Sequence, residues 1–303
     1  MDRYLDMDPA VYQAIQNNKP VIALESSFIA HGLPHPANLQ TALEMIELVR
    51  KEGAVPAVTA LVKGRIKVGL KDLELEELAE EGGKYFKVAA SEVGIFLSKG
   101  TRGATTVSGT IYGAYLAGIS ICATGGIGGV HREVSRTFDI SQDLIALSRF
   151  PVAVVSSGAK IILDLKLTLE YLETMGVPVM GYKTNYFPAF YSSASSYPLE
   201  NNLKSSREAA EIIKVYQELG WKGGLLFVNP VPREDSLSPE FINSIVDEAL
   251  QKANKENIKG KSLTPFLLKH LNQETEGECL KANISLLKNN ALLAARIARA
   301  YYD

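Results

Sequence analysis

Short apolar runs alternate along this chain with longer segments of helical periodicity. The apolar runs are rich in β-branched residues and lie at 20–24, 55–62, 119–123, 152–155 and 225–228. The segments with helical periodicity lie at 38–52, 107–117, 205–219 and 283–301. Continuous apolar runs are typical of strands buried on both faces of a parallel sheet. The alternation predicts an α/β protein, a three-layer α/β/α sandwich around a mixed, largely parallel sheet.

The sheet is expected to be mixed because one connection is short. Lys63 and Gly64 directly follow a strand-like run and Gly69 closes the next one, as in a β-hairpin. Hairpin strands are antiparallel, whereas parallel neighbours need a longer crossover. The 303 residues contain no internal repeat and no linker-like change in composition. We therefore expect a single domain over residues 1–303.

Composition narrows the class of ligand. The net charge is −2, whereas proteins that bind nucleic acid or a membrane surface normally carry a basic patch or a polybasic run. No stretch is apolar for long enough to span a bilayer, and the acidic N-terminus has no apolar signal core. Cys122 and Cys279 match no metal-binding spacing and fit a reducing compartment. These features predict a cytoplasmic protein that acts on a small molecule, with no nucleic acid or membrane partner.

A candidate nucleophile follows the apolar run at 152–155. This run leads through Ser156-Ser157-Gly158-Ala159 into Lys160, where the pattern predicts that a helix begins. Ligands bind at the carboxyl ends of strands in open α/β sheets. Apolar walls and a positive helix terminus favour the neutral form of an amine, which can attack a carbonyl carbon. A phosphate-binding or solvated lysine is the alternative, and the local pattern taken alone favours it.

Four predicted strand ends carry polar residues. They are Glu25-Ser26-Ser27, Thr124 with the glycine-rich segment 125–129, Ser156-Ser157, and Asn229. If the strands are parallel, these residues lie along one edge of the sheet. Partial burial favours the protonated form of a carboxyl group, so Glu25 suits a general acid. A helix-capping or ion-paired glutamate is the alternative.

Three further segments offer groups for an anion or a metal. The glycines at 125–129 present backbone amides to an anion, although a tight turn explains them as well. They form no dinucleotide fingerprint, because His131 occupies the third glycine position. Asp139 and Asp143 lie one helical turn apart, and one aspartate can anchor a hydrated divalent cation or cap a helix. Lys87 ends a short strand, where it pairs with phosphate or lies at the surface.

Taken together, these segments resemble the pseudouridine-5'-phosphate glycosidase family, which includes the indigoidine synthase A-like proteins. The resemblance covers nearly the whole chain. Its most specific motifs lie at 23–36, 125–132, 138–144, 157–164, 264–268 and 288–291. It implies the reversible conversion of pseudouridine 5'-phosphate and water to uracil and ribose 5-phosphate. It also implies one divalent ion per subunit, typically Mn²⁺, a homotrimer and an α/β/α fold with a mixed sheet.

The resemblance also implies roles for individual residues. The nucleophilic lysine corresponds to Lys160, the proton-donating glutamate to Glu25 and the metal ligand to Asp139. The positions that correspond to substrate contacts, mainly to phosphate and sugar, are Lys87, Val107, Ser141, Gln142 and Asp143. His131 and Asn283 correspond to positions that line the pyrimidine end of the pocket.

Two other interpretations share these residues. One is an aldolase-like lyase that forms a Schiff base between Lys160 and another phosphosugar. The other is a non-catalytic phosphosugar-binding protein, in which Glu25 and Lys160 only position the ligand. Release of uracil with ribose 5-phosphate distinguishes the glycosidase from both.

Overall fold

The computed structural model describes residues 3–193, 195–256, 258 and 263–303. Within these ranges the strands are β1 (Leu5–Met7), β2 (Val21–Leu24), β3 (Val55–Val62), β4 (Arg65–Val68), β5 (Phe86–Val88), β6 (Gly103–Thr105), β7 (Ile121–Ala123), β8 (Val130–His131), β9 (Ala153–Ser156), β10 (Leu163–Asp164), β11 (Val179–Tyr182), β12 (Asn202–Leu203) and β13 (Leu225–Val228). The α-helices are α1 (Pro9–Gln16), α2 (Ala37–Lys51), α3 (Asp72–Glu80), α4 (Val93–Ser98), α5 (Val107–Ala117), α6 (Val134–Thr137), α7 (Gln142–Arg149), α8 (Leu165–Thr174), α9 (Ser206–Glu218), α10 (Pro239–Lys255), α11 (Leu263–Glu274) and α12 (Glu278–Tyr302).

Most of the strands pair into one large sheet. Across the described residues this sheet has eleven strands, with the path β1-β4-β3-β2-β7-β9-β13-β11-β12 and with β6 and β5 added beside β3. Two of its strand pairs are antiparallel, β3 with β4 and β3 with β6, and the others described are parallel. The prediction of a mixed, largely parallel sheet is confirmed. The hairpin at Lys63-Gly64 supplies one of the antiparallel pairs.

Helices cover both faces of the sheet. Helix α12 packs against α2 and α9 and lies over β2, β7 and β9, whereas α5 packs against α7 and contacts β2, β3 and β4. The buried apolar side chains form one connected cluster that includes residues from both ends of the chain, such as Val11 and Ile297. This continuity supports the predicted single domain. None of the helices in the described ranges has the length and apolar character needed to span a membrane.

The four polar strand ends do lie together. Strands β2, β7, β9 and β13 are consecutive neighbours in the sheet, and each pair is parallel. Their carboxyl ends therefore meet at one edge, which confirms the prediction made from Glu25, Thr124, Ser156 and Asn229. The motif at 264–268 lies on α11, and the side chains of Thr264, Pro265 and Leu268 are outside the described residues.

The helix predicted to begin at Lys160 begins later, and that prediction was wrong. Helix α8 starts at Leu165, after the short strand β10. Gly158 takes a φ of 75°, the left-handed conformation that glycine adopts without a steric penalty. The Lys160 backbone N–H then donates to the carbonyl oxygen of Ile127 at 3.1 Å, so the segment runs back along the glycine-rich loop. A helix terminus therefore does not act on the Lys160 amine.

The segment predicted as a loop after β2 contains a short π-helix, Phe28–Gly32. Its backbone is closed by the N–H of Leu33, which donates to the carbonyl oxygen of Phe28 at 3.0 Å. A π-helical turn contains more residues than an α-helical turn, and short ones are frequent at functional sites. This turn brings Phe28 and His31 to the same edge of the sheet as Glu25.

Both thiols are expected to be unreactive in the folded protein. Cys122 lies in β7 and Cys279 in α12, and each is buried. Burial raises the pKa of the Cys122 thiol, and it raises the pKa of Cys279 to about 11. The thiolate is the reactive form, so a disulfide reagent should modify neither residue at about pH 8, near the ordinary pKa of a free thiol. Spectrophotometric titration should detect both thiols only after denaturation, and rapid modification of the native protein would contradict this.

Candidate active site

Glu25 is the first residue after β2 and is almost completely buried, with 4% of its surface exposed. Its carboxyl oxygens accept hydrogen bonds from the hydroxyl groups of Ser27 and Thr124. Thr124 follows β7, the parallel neighbour of β2, so the sheet itself brings this donor to the glutamate. Two neutral hydroxyls orient the carboxyl group without supplying an opposite charge.

Asp143 joins three segments of the site. Its carboxylate is 5% exposed, and one oxygen accepts the backbone N–H of Ser108 at 2.8 Å while the other accepts that of Gly128 at 2.8 Å. Ser108 lies in the first turn of α5, and Gly128 lies in the glycine-rich loop. A side chain at position 128 would collide with Ser141, so glycine is required there. Asp143 therefore fixes the loop against the beginnings of α5 and α7.

The beginning of α7 is capped by its own residues. Ser141 is the N-cap, and its hydroxyl accepts the backbone N–H of Asp143 at 3.2 Å. The side-chain oxygen of Gln142 accepts the backbone N–H of Ser91 at 3.2 Å. Hydroxyls and backbone amides at helix beginnings are groups that bind anions. Ser141 and Gln142 are therefore placed where a phosphate is favoured.

Asn290 connects the loops that follow three parallel strands. It lies on α12 and is fully buried. Its amide donates to the carbonyl oxygen of Thr124 at 2.8 Å and to the hydroxyl of Ser157 at 3.1 Å, and its oxygen accepts from the amide of Asn229 at 3.1 Å. Thr124 follows β7, Ser157 follows β9 and Asn229 follows β13. One side chain thus sets the spacing of the segments that carry the candidate site.

Two cavities open at this edge of the sheet. The first, which we call the Glu25 cavity, has a volume of about 310 Å³. It is lined by Glu25, Ser27, Phe28, His31, Gly32, Lys87, Thr124, Gly125, Gly126, Lys160, Phe190, Asn283 and Leu287. The second, the Asp139 cavity, has a volume of about 290 Å³. It is lined by Lys87, Ala89, Thr106, Ser108, Gly128, His131, Asp139, Ile140, Ser141, Gln142, Asp143, Lys160, Ile162 and Leu163.

Lys87 and Lys160 line both cavities, so they stand where the two meet. Lys87 comes from β5 and Lys160 from the loop after β9. Among the described residues, no hydrogen bond or ion pair holds the Lys160 ammonium group, whose side chain is half-buried. An amine at this point is free to contact a ligand that extends from one cavity into the other.

Comparison with known proteins identifies the family of this chain. The family model described as "Indigoidine synthase A like protein" matches residues 10–300. The chain belongs to the indigoidine synthase A-like family. Curated relatives named pseudouridine-5'-phosphate glycosidase include one from Caldanaerobacter subterraneus subsp. tengcongensis, 48% identical over 98% of this chain and 97% of the relative. Another, from Escherichia coli K12, is 47% identical over 98% of this chain and 95% of the relative.

Two solved structures share the fold. The prealnumycin C-glycosynthase AlnA, solved in complex with ribulose 5-phosphate, superposes with a TM-score of 0.92 and is 36% identical, over 100% of this chain and 98% of AlnA. An indigoidine synthase A-like protein from Thermotoga maritima superposes with a TM-score of 0.90 at 34% identity, over 99% and 97% of the two chains. The resemblance seen in the sequence motifs is therefore confirmed at the level of the family and the fold.

The geometry separates two residues that the family resemblance placed together. Asn283, on α12, lines the Glu25 cavity, whereas His131, in β8, lines the Asp139 cavity. His131 Nε2 lies 3.7 Å from a carboxylate oxygen of Asp139. Val107 has a buried side chain, and it is its neighbours Thr106 and Ser108 that line the Asp139 cavity. Any ligand contact at Val107 therefore involves the backbone.

Several residues that line the Glu25 cavity were not identified as candidate site residues from the sequence. Phe28, Phe190 and Leu287 form apolar walls of the Glu25 cavity. Phe190 takes a φ of 59° although it is bulky, and strained backbone of this kind often occurs at functional sites. Its ring packs against Gly126, where an added Cβ would come within 2.6 Å of it. No local pattern around residue 190 signals this role, because it depends on the loop conformation.

The Asp139 cavity has donors that suit a hydrated divalent cation. Asp139 has a half-exposed carboxylate, and the hydroxyls of Thr106, Ser108 and Ser141 line the same space. Hard cations such as Mn²⁺ and Mg²⁺ prefer oxygen ligands, and Mg²⁺ keeps several waters when only one or two carboxylates hold it. In the part of the chain that the structure describes, no three His, Cys, Asp or Glu side chains are grouped to hold a metal. The residues fit an ion anchored by Asp139 and otherwise coordinated by water and ligand oxygens.

Replacement of Asn290 by alanine should destabilise the protein by about 3 kcal/mol, because buried groups of Thr124, Ser157 and Asn229 lose a partner that water cannot replace. Chemical denaturation followed by circular dichroism measures the loss. Asn289→Ala is the matched control, since its amide makes one half-buried hydrogen bond to the carbonyl oxygen of Pro230 at 3.1 Å. Equal losses of stability in the two variants would show that the hydrogen bonds of Asn290 contribute no more than the single bond of Asn289.

Proposed function

We propose that this protein is a pseudouridine-5'-phosphate glycosidase, which cleaves the bond between C1′ of the sugar and C5 of uracil. The relatives that it matches over nearly their whole length carry this name. The observation that carries the proposal is the position of Lys160, at the junction of a largely apolar cavity containing Glu25 and a polar cavity containing Asp139. A nucleotide-like substrate has an uncharged base at one end and a charged phosphate at the other, with C1′ between them.

Each cavity suits one end of the substrate. Phe28, Phe190 and Leu287 offer apolar surfaces to the faces of a pyrimidine ring. The Asp139 cavity offers hydroxyls and helix beginnings to a phosphate, and AlnA, a structural relative, was solved with a phosphosugar. Lys87 lines both cavities and supplies a positive charge near the sugar.

A carbon leaving group explains why a lysine is needed. Ordinary glycosidases protonate the oxygen that leaves from the sugar, but here the leaving atom is a carbon of uracil. The sugar ring must instead be opened. An amine beside C1′ can then hold the sugar as an imine while the carbon–carbon bond breaks.

The steps of the proposed reaction balance with two residues and one water. Glu25 gives its proton to the ring oxygen as the bond from that oxygen to C1′ breaks, and the Lys160 nitrogen bonds to C1′. The proton that the nitrogen loses returns to Glu25. The nitrogen lone pair then forms the C=N bond, the bond from C1′ to C5 breaks, and C5 takes the proton from Glu25. Water hydrolyses the protonated imine to ribose 5-phosphate and an ammonium group, whose proton returns to Glu25 and leaves the free amine.

We propose further that Asp139 anchors a divalent ion, Mn²⁺, in the Asp139 cavity. When bound, the ion supplies positive charge and ordered water next to the phosphate end of the substrate. Ser141, Gln142 and the backbone at Val107 position that end. His131 lies beside Asp139, with Nε2 at 3.7 Å from a carboxylate oxygen.

The homotrimer and the cytoplasmic location implied by the family resemblance are part of the same proposal. Burial of both cysteine side chains agrees with a protein that does not depend on a disulfide. Light scattering of the purified protein measures the oligomeric state.

The purified protein should release uracil from pseudouridine 5'-phosphate, and Lys160→Ala should lower the turnover by on the order of 10³-fold or more, because the nucleophile is removed. Uracil formation is followed by chromatography. Borohydride should trap ribose 5-phosphate on Lys160, which mass spectrometry of the digested protein locates.

Two variants sharpen this experiment. Lys160→Arg keeps the charge but not the nucleophile, so it should be as inactive as Lys160→Ala. Lys166→Ala removes an exposed lysine on α8 and should behave as the wild type. A trapped adduct in Lys160→Ala would assign the chemistry to another lysine. Trapping without uracil release would favour the aldolase-like lyase, and neither trapping nor turnover would favour a binding protein.

Asp139→Asn should raise the Mn²⁺ concentration that gives half-maximal activity by at least about tenfold, the loss caused by removing even an indirect partner of a metal. Activity is titrated with Mn²⁺ after treatment with a chelator. Glu133→Gln removes an exposed carboxylate from the same segment and is the control. An unchanged titration of Asp139→Asn would contradict the assigned ligand.

A further inference from the structure

His31 lines the Glu25 cavity but takes no part in the proposed reaction steps. It lies in the π-helix Phe28–Gly32, and its Nε2 atom is buried without a hydrogen-bond partner among the described residues. Most buried side-chain nitrogens and oxygens have a partner, because an unpaired one costs about 1–3 kcal/mol. Because His31 lines the Glu25 cavity, a turn of its side chain brings this unpaired nitrogen to a ligand in the cavity.

The charge of His31 is set by its surroundings. Burial lowers the pKa of its imidazole, and the positive charge of Lys87 lowers it further. The imidazole is therefore neutral at pH 7, with one nitrogen that donates a hydrogen bond and one that accepts. Such a group suits a neutral polar ligand better than a phosphate.

The position of His31 agrees with a neutral partner. It lines the Glu25 cavity and is absent from the lining of the Asp139 cavity, where the hydroxyls and helix beginnings lie. Phe28 and Phe190 line the same cavity with aromatic rings. The cavity thus offers apolar surfaces to the faces of a flat ring and an imidazole, whose buried nitrogen lacks a partner among the described residues, to its edge.

We propose that the His31 side chain turns so that Nε2 hydrogen-bonds to the polar edge of the pyrimidine leaving group, which makes the cavity selective for it. The inference rests on the proposed glycosidase function and adds a specificity-determining residue to it. A pyrimidine such as uracil presents ring N–H groups and carbonyl oxygens in one plane, and a neutral imidazole can pair with either. The bond forms only when the base is present, which relieves the unpaired atom and contributes to binding of the base rather than of the sugar phosphate.

The test is the synthetic direction of the reaction, in which uracil and ribose 5-phosphate bind as separate molecules. His31→Phe keeps a flat ring and removes both nitrogens, so the KM for uracil should rise by about 5- to 100-fold, the effect of one unpaired hydrogen bond. The KM for ribose 5-phosphate should not change. The ribose 5-phosphate adduct trapped on Lys160 by borohydride should form in the same amount.

Controls separate this inference from the proposed function and from a folding defect. His35→Phe replaces an exposed histidine of the same segment and should leave both KM values unchanged. Undiminished trapping in His31→Phe shows that the site is folded. An unchanged KM for uracil, or equal increases for both substrates, would overturn the role of His31. Failure of the wild-type protein to make or cleave the nucleotide would instead overturn the proposed function.

Discussion

The buried amide of Asn290 is the constraint on which the candidate site depends. The site is assembled from loops that follow separate strands, and backbone hydrogen bonds such as that from the Ser157 N–H to the carbonyl oxygen of Gly125 continue for a short distance beyond the strand ends. Asn290 reaches from α12 to Thr124, Ser157 and Asn229, and so holds three of these loops at a set spacing. Thr124 in turn donates to Glu25, and Ser157 begins the turn that ends at Lys160. The acid and the nucleophile are positioned through one network.

A second network, centred on Asp143, organises the other half of the site. The two oxygens of its carboxylate accept hydrogen bonds from two backbone N–H groups, one in α5 and one in the glycine-rich loop. A buried carboxylate that is fully used in this way stabilises backbone geometry, whereas the half-exposed carboxylate of Asp139 is available to a ligand. Two aspartates one helical turn apart in the sequence therefore have different roles, and burial decides which has which.

The division into two cavities accounts for the mixture of residues at the sheet edge. Apolar rings and a neutral imidazole suit an uncharged base, while hydroxyls, helix beginnings and an exposed carboxylate suit a phosphate and its counterion. The two lysines stand between them. The lysines therefore lie between the site suited to the base and the site suited to the phosphate. This is where the sugar carbon that carries the base would lie, which agrees with a reaction at that carbon.

The sequence by itself determined the fold class, the meeting of the polar strand ends at one edge of the sheet, and the family. Apolar runs of strand length separated by helices require a mostly parallel sheet, and parallel strands bring their carboxyl ends to one edge, so Glu25, Thr124, Ser156 and Asn229 were predicted to lie together. Only the tertiary structure decided that Lys160 lies in a loop, that His131 and Asn283 line different cavities, and that Phe190 and His31 complete the Glu25 cavity. The reason is physical: periodicity reports which residues are buried in regular elements, whereas a cavity wall depends on irregular backbone, such as the left-handed Gly158 and Phe190, and on contacts between residues far apart in the chain.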